Sequence, residues 1–117
     1  MAKLSTHVLD THSGRPAHGM QLQLHRLSNG QSELLLSART NADGRLDAPL
    51  LQGESMQTGR YSLTFQAAEY FRAQGMDLPE PAFLEEVCIQ FGIADASQNY
   101  HVPLVLTPWS YATYRGS

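Results

Sequence analysis

Short runs of alternating apolar and polar side chains, each closed by turn chemistry, recur along nearly the whole chain and leave little room for any architecture but stacked sheets. They are Leu4 to Asp10, Met20 to Leu27, Leu34 to Thr40, Arg60 to Phe65, Glu86 to Ile93, Tyr100 to Thr107 and Ser110 to Arg115. A period of two sends successive side chains to opposite faces, so each run reads as a strand with one face toward a core. Between them stand Ser13-Gly14-Arg15-Pro16, Ser28-Asn29-Gly30, Asn41-Ala42-Asp43-Gly44 and Gln57-Thr58-Gly59, whose residues tolerate positive φ or fix a turn. About seven or eight strands at this spacing predict an all-β sandwich. One stretch breaks the pattern. From Ala67 to Gly75 helix formers replace β-branched residues before Gly75, Pro79 and Pro81, which predicts a single short helix crossing from one sheet to the other.

A chain of 117 residues without linker, repeat or low-complexity tract reads as a single domain, 1–117. At that size about two-thirds of the unfolded surface is buried, so a core forms without disulfides or structural metal. The formal charge of −3, with Lys3 the only lysine, gives no basic footprint, which excludes nucleic acid as a partner. Cys88 is the only cysteine, so no internal disulfide is possible. Its place between Val87 and Ile89 predicts a small buried hydrophobe. Met1-Ala2-Lys3-Leu4 runs straight into patterned sequence without the apolar stretch of a signal peptide, and the apolar runs are too short to span a bilayer. The expectation is a cytoplasmic protein with no membrane association.

Alternation also places the histidines. In the first run Leu4, Thr6 and Val8 share one face and Ser5, His7 and Leu9 the other. In the sixth, Tyr100, Val102, Leu104 and Leu106 share a face, leaving His101, Pro103, Val105 and Thr107 opposite. His7 and His101 thus fall on outer faces, among residues too apolar for a face that simply meets water. Such a face predicts cover by another subunit, with a site at the interface. His12 and His18 sit in a turn and a loop. His25 faces outward beside Leu22 and Leu24 provided a bulge interrupts the alternation, and none of these three is assigned chemistry. His7 and His12 point to opposite sides of a strand and no His-x-His pair exists, so no metal site is expected.

Arg45 leaves the Asn41-Ala42-Asp43-Gly44 turn, where its guanidinium is held to fork onto planar carbonyl or carboxylate groups, or else pairs with Asp43 or Asp47. The chain closes on Tyr114, Arg115, Gly116 and Ser117 after Trp109 and Tyr111, with no acidic or Gly/Ser spacer. This reads as a docked strand carrying its carboxylate to a site.

Taken together, Leu4-Ser5-Thr6-His7-Val8-Leu9-Asp10-Thr11, Thr40-Asn41-Ala42-Asp43-Gly44-Arg45, Gly59-Arg60-Tyr61 with Tyr70-Phe71, Tyr100-His101-Val102-Pro103-Leu104 and the terminal Tyr114-Arg115-Gly116-Ser117 resemble the transthyretin-like 5-hydroxyisourate hydrolases of urate breakdown. The resemblance implies a transthyretin-like sandwich of two four-stranded sheets with one short helix. It implies a homotetramer, a dimer of dimers, with active sites at the dimer–dimer interface. It maps catalysis to His7, Arg45, His101 and Ser117 and substrate binding to His7, Arg45, Tyr114, Arg115 and Gly116, with no cofactor and no metal. The implied reaction opens 5-hydroxyisourate to 2-oxo-4-hydroxy-4-carboxy-5-ureidoimidazoline. Asn99 stands where many members carry a histidine, and Leu84-Glu85-Glu86 lacks a proline common there; neither falls on the mapped positions. The alternative is a non-catalytic carrier of the transthyretin type, which uses the equivalent channel for apolar ligands and lacks the terminal tetrapeptide.

Overall fold

The computed structural model describes residues 2–116. Strands run β1 (Lys3–Asp10), β2 (Arg15–Pro16), β3 (Gln21–Ser28), β4 (Gln31–Arg39), β5 (Leu51–Gln52), β6 (Gly59–Phe65), β7 (Val87–Ile93), β8 (Tyr100–Leu106) and β9 (Tyr111–Thr113), with helix α1 (Ala67–Ala73) between β6 and β7. One sheet has the order β4-β3-β6-β7. The other runs β2-β1-β8-β9, and the two residues of β5 add a short fifth strand beside the start of β1. The layers are those expected, with this one strand more than the even division into fours.

The core lies between the sheets and follows the alternation. Leu4 and Val8 of β1, Leu22 and Leu24 of β3, and Leu104 and Leu106 of β8 are all buried at about full depth. A Leu side chain so placed contributes roughly 1.5–3 kcal/mol through removal of apolar surface from water. Where β3 pairs with β4 the register shifts between Leu24 and His25, so that Leu36 and Leu34 face those residues and Leu35 is the extra one. The extra residue belongs to β4; β3 keeps an unbroken register with β6 through Leu22, Leu24 and the half-buried His25, so the interruption expected in the His25 strand itself is absent.

Four further details differ from the sequence expectation. Strand β4 starts at Gln31, because the Asn29-Gly30 turn, with φ of 54° and 75°, folds the chain back at once into a hairpin. Helix α1 ends at Ala73 and joins β6 to β7, which pair in one sheet, so it does not cross between sheets. It is tied to the other sheet through Tyr70, whose hydroxyl donates to the buried Asp10 Oδ2 at 2.9 Å. Cys88 is exposed: Val87 and Ile89 take the inward positions of β7, and a period of two turns the residue between them to the outside.

The feature that positions the site is the pairing of β1 with β8. These strands are parallel, with Leu4 opposite Tyr100, Ser5 opposite His101 and His7 opposite Pro103. Buried Thr6 ties them by donating its hydroxyl to Val102 O at 2.7 Å. Neighbouring parallel strands need a long crossover, and here the whole β4-β3-β6-β7 sheet lies in the intervening chain.

Candidate active site

The outward residues of β1 and β8 form the floor of the site. Ser5 and His101 are directly opposed and Ser5 Oγ lies 2.8 Å from His101 Nδ1. His7 stands one step up the same face of β1, and both histidines are half-buried.

A tight loop delivers Arg45 to this floor. Asn41 knots it: its Oδ1 accepts from the backbone N–H of Asp43 at 2.9 Å and of Arg45 at 3.2 Å. Its carbonyl accepts from Gly44 N at 2.9 Å and its N–H donates to Arg45 O at 2.7 Å. The loop then docks edge-on to β1 through Val8 N–H donating to Gly44 O at 2.8 Å. Gly44 has φ of 73°, and a Cβ there would fall against the Val8 carbonyl oxygen, so only glycine permits this approach. Arg45 comes out exposed on the wall of a cleft of about 270 Å³ shared with Lys3, Ser5, Thr6 and Asp47. Asp47 is engaged by Asn41 Nδ2 at 2.9 Å, and among the described residues Arg45 forms no salt bridge.

The electrostatics register this convergence. Burial holds the His101 imidazole below its ordinary range, and the Arg45 guanidinium and then the neighbouring His7 ring push it further the same way, against a backbone hydrogen bond with Ser5 that favours protonation. His101 is therefore a neutral ring at neutral pH, able to take a proton.

The end of the chain closes the site from the other side of β8. Strand β9 pairs antiparallel with β8, Leu104 opposite Thr113, and the same register returns at His101 opposite Gly116. Between these points the ladder is interrupted, because Pro103 has no N–H to give. Its carbonyl accepts instead from the Thr113 hydroxyl at 2.7 Å. Gly116 N–H then donates to His101 O at 2.8 Å, and the Gly116 backbone packs so closely on the ring that a Cβ would lie 2.7 Å from His101 Cδ2.

The described residues thus bring together His7, Arg45, His101 and Gly116. Arg115 goes elsewhere: its guanidinium lies 4.2 Å over the Tyr100 ring and donates to Gln98 Oε1 at 3.1 Å and Asn99 O at 3.2 Å. It anchors the chain end from the face opposite to His101. Tyr114 is 64% exposed. Ser117 lies outside the described residues. Among the other histidines, His12 packs edge-on to Trp109 with centroids 5.8 Å apart, His18 is exposed, and His25 is on the other sheet. Among the described residues no group of three or more His, Cys, Asp or Glu side chains is placed to hold a metal ion. Ser5 escaped the sequence reading. Its parity with His7 was visible, but its contact with His101 depends on the parallel register.

The model of the HIUase/Transthyretin family matches residues 4–116 of this chain. The chain belongs to that family. Among curated HIUase/Transthyretin relatives, the "5-hydroxyisourate hydrolase 2" of Rhizobium meliloti is 55% identical over 115 residues, 98% of this chain and 96% of its own length. The solved structure of 5-hydroxyisourate hydrolase from Klebsiella pneumoniae is 33% identical, with a TM-score of 0.80 over 100% of both chains. That of (S)-allantoin synthase is 42% identical with a TM-score of 0.93. It covers 99% of this chain but only 44% of the synthase, so this chain spans less than half of that longer protein. The match to the family takes in Ser5, His7, Arg45, His101 and Gly116 alike.

Proposed function

We propose that this protein hydrolyses 5-hydroxyisourate to 2-oxo-4-hydroxy-4-carboxy-5-ureidoimidazoline in urate degradation. The observation that carries this reading is the convergence of a half-buried ring kept neutral, a second half-buried imidazole and an exposed guanidinium whose charge acts on that ring. Opening an amide-like carbon–nitrogen bond needs those three capacities. His101, unprotonated, takes a proton from water as the water oxygen bonds to the ring carbon. Arg45 faces the charge that develops on the carbonyl oxygen, a contribution typically worth several kcal/mol in a dry site. Collapse breaks the carbon–nitrogen bond and the imidazolium returns its proton to the departing nitrogen. His7, beside His101, shares proton handling and binding, and Ser117 orients the water or a histidine.

Assembly completes the proposal. The face carrying His7 and His101 also carries Leu9, Val105 and, opposite Val105 on β9, Ala112, an apolar surface suited to contact between dimers of a homotetramer. Dimer–dimer contact over this face would exclude water from the cleft and strengthen each charge interaction within it. The exposed thiol of Cys88 suits a reducing compartment such as the cytoplasm. Among the described residues no helix is long and apolar enough to cross a membrane.

The decisive assay generates 5-hydroxyisourate with urate oxidase and follows its decay spectrophotometrically. The protein should accelerate decay far beyond the spontaneous rate, and His101→Asn should lose that acceleration by about 10²–10⁴ with its mass in solution still that of four chains. A folded tetramer that leaves the decay unchanged overturns the hydrolase reading in favour of a ligand carrier.

A further inference from the structure

The His101 ring is gripped on both edges. Its Nδ1 edge meets Ser5 Oγ at 2.8 Å. Its Cδ2 edge lies under the Gly116 backbone, where even a methyl group would intrude to 2.7 Å. A half-turn of the ring would exchange these edges, setting a carbon against the hydroxyl and a nitrogen against a backbone with no room for a partner. The grip leaves the Cε1–Nε2 end of the ring as the end that is not held.

We propose that Ser5 is a positioning residue that holds the Nδ1 side of His101, so that Nε2 is the nitrogen that exchanges protons with water and substrate. The inference deepens the hydrolase reading and rests on it. A hydroxyl is suited to this because it both donates and accepts. When Nε2 takes the proton of water, the imidazolium must donate from Nδ1, and Ser5 Oγ accepts. When Nε2 gives that proton to the departing ring nitrogen, Nδ1 keeps its hydrogen and its partner. The proton enters and leaves through one atom, and the ring ends each turnover in the state in which it began. Other charged or titratable groups near this ring are His7 on β1 and Arg45 on its loop, with Lys3 and Asp47 along the cleft. Neither His7 nor Arg45 is a hydrogen-bond partner of Nδ1 among the described residues; Ser5 is.

The test compares Ser5→Ala and Ser5→Thr with the wild type by 5-hydroxyisourate turnover and by long-range ¹⁵N NMR of the His101 ring. Ser5→Ala should lower kcat by roughly tenfold to a hundredfold, part of what positioned acid–base catalysis supplies, with KM within about twofold. Its ¹⁵N pattern should move from Nδ1–H toward a tautomer mixture, and Ser5→Thr, which keeps the hydroxyl, should restore both. An alanine variant with wild-type kcat overturns the proposal, and so does a slowed one whose ¹⁵N pattern is unchanged, since that marks a merely structural effect. If the wild type itself fails to hydrolyse the substrate, the hydrolase reading falls, while the NMR comparison still decides whether Ser5 sets the tautomer.

Discussion

Gly116→Ala adds one methyl group at the point where the chain end meets His101, and the structure says what that methyl meets. Its carbon would lie 2.7 Å from Cδ2, 3.1 Å from Cβ and 3.2 Å from Cγ of His101, against an ordinary carbon–carbon contact of about 3.5–4.0 Å. Overpacking of this kind costs roughly 1–3 kcal/mol where neighbours cannot retreat. The ring cannot retreat without giving up Ser5, and its backbone is fixed between β1 and the tail. The chain end can lift instead by breaking the Gly116 N–H to His101 O bond, a net loss of about 1 kcal/mol. The tail therefore yields, and because Arg115 still holds Tyr100, only the last residues peel away. Melting should shift by no more than about 4–8 °C, the equivalent of that one bond in a domain of this size. By contrast kcat/KM for 5-hydroxyisourate should fall at least about tenfold, since the terminus no longer closes over His101. Removing residues 114–117 should give an equal or larger loss of activity with the sandwich still folded. Gly116→Ala with wild-type kcat/KM would refute the claim that docking onto His101 matters, and a collapse in melting temperature would refute the claim that the terminus yields separately from the core.

Gly44→Ala should act in the opposite sense, as a stability mutation: a left-handed φ costs about 1–2 kcal/mol and the clash with the Val8 carbonyl roughly 1–3 more, so urea unfolding that registers less than about 1 kcal/mol would sink the loop argument. Tyr70→Phe strips the hydroxyl from the buried Asp10 carboxylate and should cost about 1.5–3 kcal/mol in urea. Burial and then Asp10 push the Tyr70 phenol up, so its contribution is complete below the unfolded value of 10.0 and is lost as pH rises beyond it, a dependence Tyr70→Phe should lack. His101 is held below 6.5, so the unfolded chain binds that proton more readily, and stability should fall as pH drops through 6.5 toward the folded value. In kcat/KM the same group gives an acid limb below 6.5, which Arg45→Gln should move upward by removing a cation; a limb that stays put refutes the coupling.

What could be read from the sequence was what depends on neighbours in sequence. Alternation put Leu4 and Val8 inside and His7 outside, and the same parity put His101 outside, because strand faces are a local property. The Asn41-Ala42-Asp43-Gly44 turn was legible for the same reason, its bonds running within five residues. Cys88 shows the limit of the rule: its apolar neighbours suggested burial, yet the parity that buries them exposes it. Pairing was not legible. Nothing in the β1 segment announces a parallel partner, so the Ser5–His101 contact stayed hidden, as did the two-residue β5, which exists only where β1 offers it a free edge. Arg115 was carried over to the substrate from the resemblance, whereas its guanidinium is taken up by Tyr100, Gln98 and Asn99.

The same division explains why the site sits where it does. Ser5 and His101 are 96 residues apart and are joined by a parallel ladder, a pairing that gains nothing until the chain between them has folded. The loop bearing Arg45 meets β1 through the backbone of Gly44, and the last turn of the chain meets the His101 position of β8 through the backbone of Gly116. In both cases a residue without a side chain lets main chain touch main chain, and so fixes a functional group to within the tolerance of a hydrogen bond rather than of a flexible side chain. Position here is bought with global folding, which gives the arrangement the rigidity that acid–base chemistry requires. A substitution that leaves the sandwich intact but loosens either glycine contact should therefore separate binding geometry from stability, and Gly116, at the free end, is where that separation is cleanest.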